Sequence, residues 1–253
     1  MLTTPATPTR RHTAGAVTLP VVEIFGPTIQ GEGPDAGVPA YFVRFGGCDY
    51  RCIWCDSMHA VDPVEVRSNA ERLTAEQIIQ RVTELPPGPD LVVLSGGNPA
   101  LLDLGALVLA LRREGKRVAV ETQGSRWCAW LADVDRLVIS PKPPSSGMAG
   151  PDELIALRAF LGNVTSASTP ALKIVIFDQA DLDWAATCHS NYPQLPLFLS
   201  AGTDIGLPEE KTLTRLRERY RWLCETVSRR ADLRAASVLP QLHVIAWGTA
   251  RGV

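Results

Sequence analysis

The sequence predicts an α/β fold: a mostly parallel sheet covered by helices and curled into a partial (β/α) barrel. Three observations predict it. Runs such as "LVVLSGG", "RLVIS" and "LKIVIF" are continuously apolar, as strands buried on both faces must be. Helical patterns alternate with them, the rhythm of parallel strands joined by crossovers. At 253 residues the chain is long enough to bury the core of one α/β domain.

The elements follow in order. Residues 1–17 are polar, with no apolar pattern, and read as a flexible tail before a single domain at 18–253. "VTLPVVEIFG" and "PAYFVRFGG" are β-rich, and "HAVDPVEVRSNAERL" is too polar for core. "TAEQIIQRVTEL" starts a helix with a capping-box pair, Thr74 and Gln77, and carries the stripe Ile78, Ile79, Val82 and Leu85 until "PPGPD" stops it. Then come strand "LVVLSGG", helix "ALLDLGALVLALRREG", strand "KRVAVET", a short helix near "WCAWLA" and strand "RLVISPK". Helix "PDELIALRAFLGN", strand "LKIVIF", helix "QADLDWAATC", strand "LFLSAG", a long helix after Pro208 and a last strand "QLHVIAW" complete the series.

Composition narrows the class of function. A net charge of -2, with acids and bases interspersed, argues against a nucleic-acid surface and favours a small-molecule partner. Arg10 and Arg11 precede no apolar segment, and no stretch approaches the roughly 20 apolar residues of a membrane span. A cytoplasmic protein is expected, in a compartment that keeps thiols free for metal.

In parallel sheets ligands sit at the carboxyl ends of the strands. Here those ends read Ser95-Gly96-Gly97-Asn98-Pro99, Glu121-Thr122-Gln123-Gly124, Ser140-Pro141-Lys142 and Ser200-Ala201-Gly202-Thr203-Asp204. "CDYRCIWCD" adds Cys48, Cys52 and Cys55. Three thiols can hold an iron–sulfur cube and leave one iron open to a chelating ligand; they can also form a zinc site completed by His59, or stay unligated in the core. Cys128, Cys188 and Cys224 read as buried hydrophobes. Taken singly, Arg44 reads as a solvent-facing strand residue, Glu121 as a turn cap, His243 as a packed strand residue, Lys142 as a partner of a nearby acid and Asp56 as a loop hydrogen-bonder.

The C-x3-C-x2-C spacing with Trp54 before the third cysteine resembles the cluster loop of the radical S-adenosylmethionine enzymes. Their glycine-rich segment after the next strand usually reads GGEP and contacts the methionyl amino group; here it reads "GGNP", so an amide, Asn98, stands where an acid is expected. The longer stretch "FGPTIQGEGPDAGVPAYFVRFGGCDYRCIWCDS", with "ETQG", "SPK" and "LPQLHVIAWG", is similar to the 7-carboxy-7-deazaguanine synthase family over residues 22–253. A glycyl-radical activating enzyme shares the cysteine spacing but is not expected to carry "IQGEG" or "QLH".

The resemblance implies a ring contraction of 6-carboxy-5,6,7,8-tetrahydropterin to 7-carboxy-7-deazaguanine with loss of ammonia, in queuosine-type 7-deazapurine biosynthesis. It implies a [4Fe-4S] cluster on Cys48, Cys52 and Cys55, S-adenosylmethionine, and Mg2+ on Ser57. Trp54, Cys55, Asp56, Gly97, Asn98, Ser140, Pro141, Lys142 and, further off, Ser200, Ala201, Gly202 and Thr203 would line the adenosyl cofactor. Ile29, Gln30, Gly31, Glu32, Arg44, Ser95, Glu121, His243 and the carboxylate of Val253 would meet the pterin. A homodimer and an electron donor such as flavodoxin are the partners to expect.

Overall fold

The computed structural model describes residues 17–165 and 168–253, so most of the expected tail lies outside the described residues. A nine-stranded sheet forms the centre, in the order β3-β1-β2-β4-β5-β6-β7-β8-β9. β1 (Leu19–Ile29) pairs antiparallel with β2 (Pro39–Phe45) and with the short β3 (Glu71–Leu73). From β2 onward every pairing is parallel: β4 (Leu91–Gly96), β5 (Arg117–Thr122), β6 (Arg136–Ile139), β7 (Pro170–Ile176), β8 (Leu197–Ala201) and β9 (Ser237–Leu239). The sheet does not close, and β3 and β9 are its edges.

The helices fall between the strands. α1 (Pro63–Asn69) buries none of its residues, as its polarity requires. α2 (Ala75–Glu84) opens with the expected capping box: the Thr74 hydroxyl accepts from Gln77 N, and the Gln77 side chain accepts from Thr74 N. α3 (Gly105–Arg113), α4 (Pro151–Leu161), α5 (Gln179–Ser190) and α6 (Glu209–Val227) cross between later strands. Their apolar faces share one core with one face of the sheet. Ile78, Leu107, Phe160, Leu182 and Leu223 pack with Val43, Leu94, Val120, Ile139, Ile174 and Leu199. Burying such side chains stabilises by about 1.5–3 kcal/mol each, and Leu94→Ala alone would cost about 2–5 kcal/mol.

The structure corrects three details. "QLHVIAW" is not a strand: α7 (Leu242–Trp247) occupies it, and the last strand is β9 just before Pro240. A six-residue apolar run fits either period, and here only Val244 is buried, while Ile245 and Trp247 stay exposed. The segment taken as outside the core contributes β3, whose Leu73 is buried against β1. Finally, the helix expected from Ala100 starts only at Gly105, because a separate 3-10 turn takes Pro99–Leu101, and the short helix near Trp130 is likewise 3-10.

Candidate functional site

Side chains alternate along a strand, so the residues between the core positions face away from the helices. That second face carries a small apolar cluster, Ala40, Leu91, Val93 and Ala119, toward the start of the strands. In the same phase, further along, stand Arg44 of β2, Ser95 of β4, Glu121 of β5, Lys173 of β7 and Ser200 of β8. The hydroxyls of Ser95 and Ser200 are buried, and neither has a partner among the described residues. A buried, unmet hydroxyl costs about 1–3 kcal/mol, a cost that a polar ligand meeting these two groups would relieve.

The cysteine loop leaves the end of β2 and is tied to the end of β4. Gly97 N donates to Phe45 O at 3.1 Å and Asn98 N to Gly47 O at 2.7 Å. A Cβ on Gly97 would lie 2.1 Å from Gly47 O, so only glycine permits this approach. Cys48, Cys52 and Cys55 form no disulfide and are partly exposed; of the three cysteines expected to be buried, only Cys188 is, while Cys128 and Cys224 are partly exposed as well. Cys48 Sγ accepts from Tyr50 N at 3.4 Å and Gln123 Nε2 at 3.6 Å, contacts of the kind that steady cluster thiolates. Burial, then Asp56, pushes the Cys55 thiol up to about 11; burial also raises Cys48. A cluster iron reverses that preference by taking the thiolate. Three thiolates are the donor chemistry a cube takes, although among the described residues no three Cys, His, Asp or Glu side chains stand gathered as a preformed metal site. His59, the fourth ligand of the zinc alternative, instead faces Glu23 at 3.3 Å, without hydrogen-bond alignment.

Beside the loop, the Trp54 indole donates to Ser145 Oγ at 3.0 Å and stacks on Phe177 with centroids 5.2 Å apart. The fully buried Asp181 fixes this arrangement by accepting from Ser145 N, Ser145 Oγ and Phe177 N. Lys142 donates to Ser140 Oγ at 3.1 Å and lies 5.8 Å from the Trp54 ring centroid. Gly202 packs under Phe177, where a Cβ would come within 2.3 Å of the ring. The side chain of Ala201 belongs to the helix-side core, which leaves only its backbone for a ligand.

Arg44 is not solvent-facing. Its Nε donates to Glu23 at 3.0 Å and its Nη1 to Ser57 Oγ at 2.8 Å, while Ser57 Oγ donates to Asp56 at 2.8 Å. A hydroxyl and a carboxylate thus lie together as hard oxygen donors suited to Mg2+.

A second polar network joins five elements. Lys173 Nζ, on a side chain 6 % exposed, donates to Glu32 Oε2 at 2.8 Å and Glu121 Oε2 at 3.3 Å. Gln30 Nε2 donates to Glu121 Oε1 at 2.8 Å, Gln241 Nε2 to Glu32 Oε1 at 3.1 Å, and the Thr203 hydroxyl to Gln241. Burial alone would raise the Glu32 carboxyl; Lys173, His243 and the hydrogen bonds outweigh it and bring its pKa down to about 2. Burial likewise opposes the charge on Lys173, and the two glutamates hold it well above its usual range. Gly31 O accepts from Leu242 N at 3.0 Å, and a Cβ on Gly31 would lie 2.1 Å from His243 Nδ1. Past Gly248, with φ 63°, the chain runs exposed to Val253, with Gly252 beside Phe25.

Gln30, Gly31, Glu32, Glu121, His243 and Thr203 therefore meet, with Ile29 at the end of β1 leading into them. Thr203, expected at the adenosyl cofactor, bonds within this group. Sequence reasoning missed Lys173, although a lysine inside the apolar run "LKIVIF" is itself a signal. It also missed Gln241, Glu23 and the Ser145–Asp181 pair, which only the fold brings near.

Residues 42–146 match the Radical SAM superfamily. The chain is 40% identical over 240 residues to the 7-carboxy-7-deazaguanine synthase of Bacillus cereus, covering 93% of this chain and 99% of that one. It is 41% identical over 242 residues to that of Bacillus subtilis, covering 93% and 98%. Its fold is similar to the crystal structure of QueE from Escherichia coli, with a TM-score of 0.66 at 21% identity over 90% of this chain and 96% of that one. With relatives so similar along their whole length, and the three cysteines inside the matched superfamily region, the chain belongs to the 7-carboxy-7-deazaguanine synthase family.

Proposed function

We propose that the chain converts 6-carboxy-5,6,7,8-tetrahydropterin to 7-carboxy-7-deazaguanine with release of ammonia, for queuosine-type 7-deazapurine biosynthesis. The observation that carries this is the Lys173 network. A pterin's amino-pyrimidinone edge presents planar N–H donors beside a carbonyl, and Glu32 held as an anion is an acceptor-only partner for those donors. Gln30, Gln241 and Glu121 supply neighbouring amide and carboxylate groups in fixed positions. His243 closes the group at Gly31, and the Val253 carboxylate is proposed as a further acceptor for that edge.

Arg44 takes the substrate carboxylate. Two of its five N–H groups are spent on Glu23 and Ser57, which orients the guanidinium and leaves the others to bind. Ser57, whose hydroxyl donates to Asp56, would hold Mg2+ there. Cys48, Cys52 and Cys55 ligate the [4Fe-4S] cluster. Trp54, Gly97, Ser140, Pro141, Lys142 and the backbone at Ser200–Gly202 line the S-adenosylmethionine site. When bound, the cluster and S-adenosylmethionine supply a carbon-centred radical that removes hydrogen from the substrate carbon. The protein's part is to position that carbon and keep water away.

Among the described residues no helix is long and apolar enough to cross a membrane. A cytoplasmic enzyme with free thiols, a flavodoxin-type electron donor and a homodimer complete the proposal. The test is anaerobic turnover of the carboxy-tetrahydropterin with reductant, S-adenosylmethionine and Mg2+, read by product mass and ammonia. Cleavage of S-adenosylmethionine without deazaguanine product would refute the substrate while sparing the radical chemistry.

A further inference from the structure

We propose that Asp49 supplies the anionic contact for the N–H bonds of the S-adenosylmethionine amino group, a contact that Asn98 has no free atom to make. This rests on the reading that Cys48, Cys52 and Cys55 hold the cluster.

A side-chain amide has two N–H donors and two acceptor lone pairs. In Asn98 all four are committed. Its Nδ2 donates to Asp49 Oδ1 and to Ser125 Oγ, both at 3.0 Å. Its Oδ1 accepts from Thr122 Oγ1 at 2.8 Å and from Ala100 N at 3.2 Å. The residue is 1% exposed, so it cannot swing toward a ligand. Its place in the glycine-rich segment makes it a support for Asp49 instead.

Asp49 stands next to Cys48 and is exposed. Its Oδ1 accepts from Asn98 and also from Gln123 Nε2, and that same Gln123 nitrogen lies 3.6 Å from Cys48 Sγ. One buried amide therefore fixes both the carboxylate and the first cluster ligand. Both contacts to Asp49 come from neutral amides, so neither cancels its charge, and both use the same oxygen. Oδ2 is spent on neither. The other acid of the loop is less suited: Asp56 accepts from Ser57, whose hydroxyl is held by the Arg44 guanidinium. A ligand chelating an iron beside Cys48 through its amino end would meet the charge of Asp49 first, in a charge-assisted hydrogen bond.

The competing role is a purely structural one, with Asp49 only pinning the loop. Two variants separate these roles. Asp49→Asn keeps an oxygen for the two amides and removes only the charge, whereas Asp49→Ala removes both. Each reconstituted protein is analysed for iron and sulfide, and S-adenosylmethionine is titrated into the reduced protein while the electron paramagnetic resonance signal of the cluster is followed. Asp49→Asn is expected to keep its iron and bind S-adenosylmethionine about tenfold or more weakly, the size of one lost charge-assisted bond, with Asp49→Ala similar. Wild-type affinity in Asp49→Asn overturns the proposal, as does loss of iron in Asp49→Asn. If the wild type itself showed no S-adenosylmethionine-dependent change, the reading of the cysteine loop would be at fault instead.

Discussion

Lys173 Nζ lies 2.8 Å from Glu32 Oε2, although the two residues come from the seventh strand and the loop after the first. One buried cation thereby sets the charge of two carboxylates, Glu32 and Glu121, at the proposed pterin edge.

Replacing Lys173 by Met leaves both partly buried carboxylates without a counter-charge. Stability should fall by about 3–5 kcal/mol, the usual cost of breaking a buried pair from one side. The pH dependence follows from Glu32, whose pKa is lowered from 4.5 to about 2 in the fold. In the wild type its contribution is fully present above 4.5 and is lost as pH falls through about 2. In Lys173→Met the Glu32 pKa rises, so this acid tolerance disappears. Urea melts from pH 3 to 7 check it: parallel wild-type and variant profiles would reject the coupling.

Cys48→Ala, Cys52→Ala and Cys55→Ala should each abolish the cluster and turnover. Cys128→Ala, Cys188→Ala and Cys224→Ala should keep full iron. Iron and sulfide analysis of the six proteins decides this, and loss of iron confined to the second set would refute the assignment.

Ser57→Ala should raise the Mg2+ concentration needed for half-maximal activity, while Ser57→Thr, which keeps the hydroxyl between Arg44 and Asp56, should stay near wild type. Equal Mg2+ titrations for wild type and Ser57→Ala would remove Ser57 from the metal site.

Gly31→Ala should push the start of α7 away, since the new Cβ would sit 2.1 Å from His243 Nδ1. A stability loss of about 1–3 kcal/mol is expected, with weaker substrate binding and unchanged iron content. Tight binding of the carboxy-tetrahydropterin in this variant would show that the Gly31–His243 contact does not shape the pocket.

The parallel strands were legible because each is a mostly apolar run, even though one face also carries Arg44, Ser95, Glu121, Lys173 and Ser200, and the capping box of α2 needed only Thr74 and Gln77 at the right spacing. α7 was not, because "LHVIAW" is too short for its period to speak. The cysteine loop was legible as local spacing. The Lys173 network was not: Gln241 and Glu32 are 209 residues apart, and nothing in either neighbourhood points to the other. What sequence did show was an out-of-place lysine, whose meaning depends on which carboxylates share its face of the sheet.

At both margins of the sheet stands a strand of only three residues, β3 and β9. So brief a margin offers another chain few free backbone donors and acceptors, and this is a known defence against edge-to-edge aggregation. It also restricts how two copies can associate. A dimer of this protein cannot gain much by running its sheet on into a partner, so its contact has to be made by side chains on helices and loops. Two copies joined that way would leave the open side of the sheet uncovered, where a closed barrel would have placed a wall.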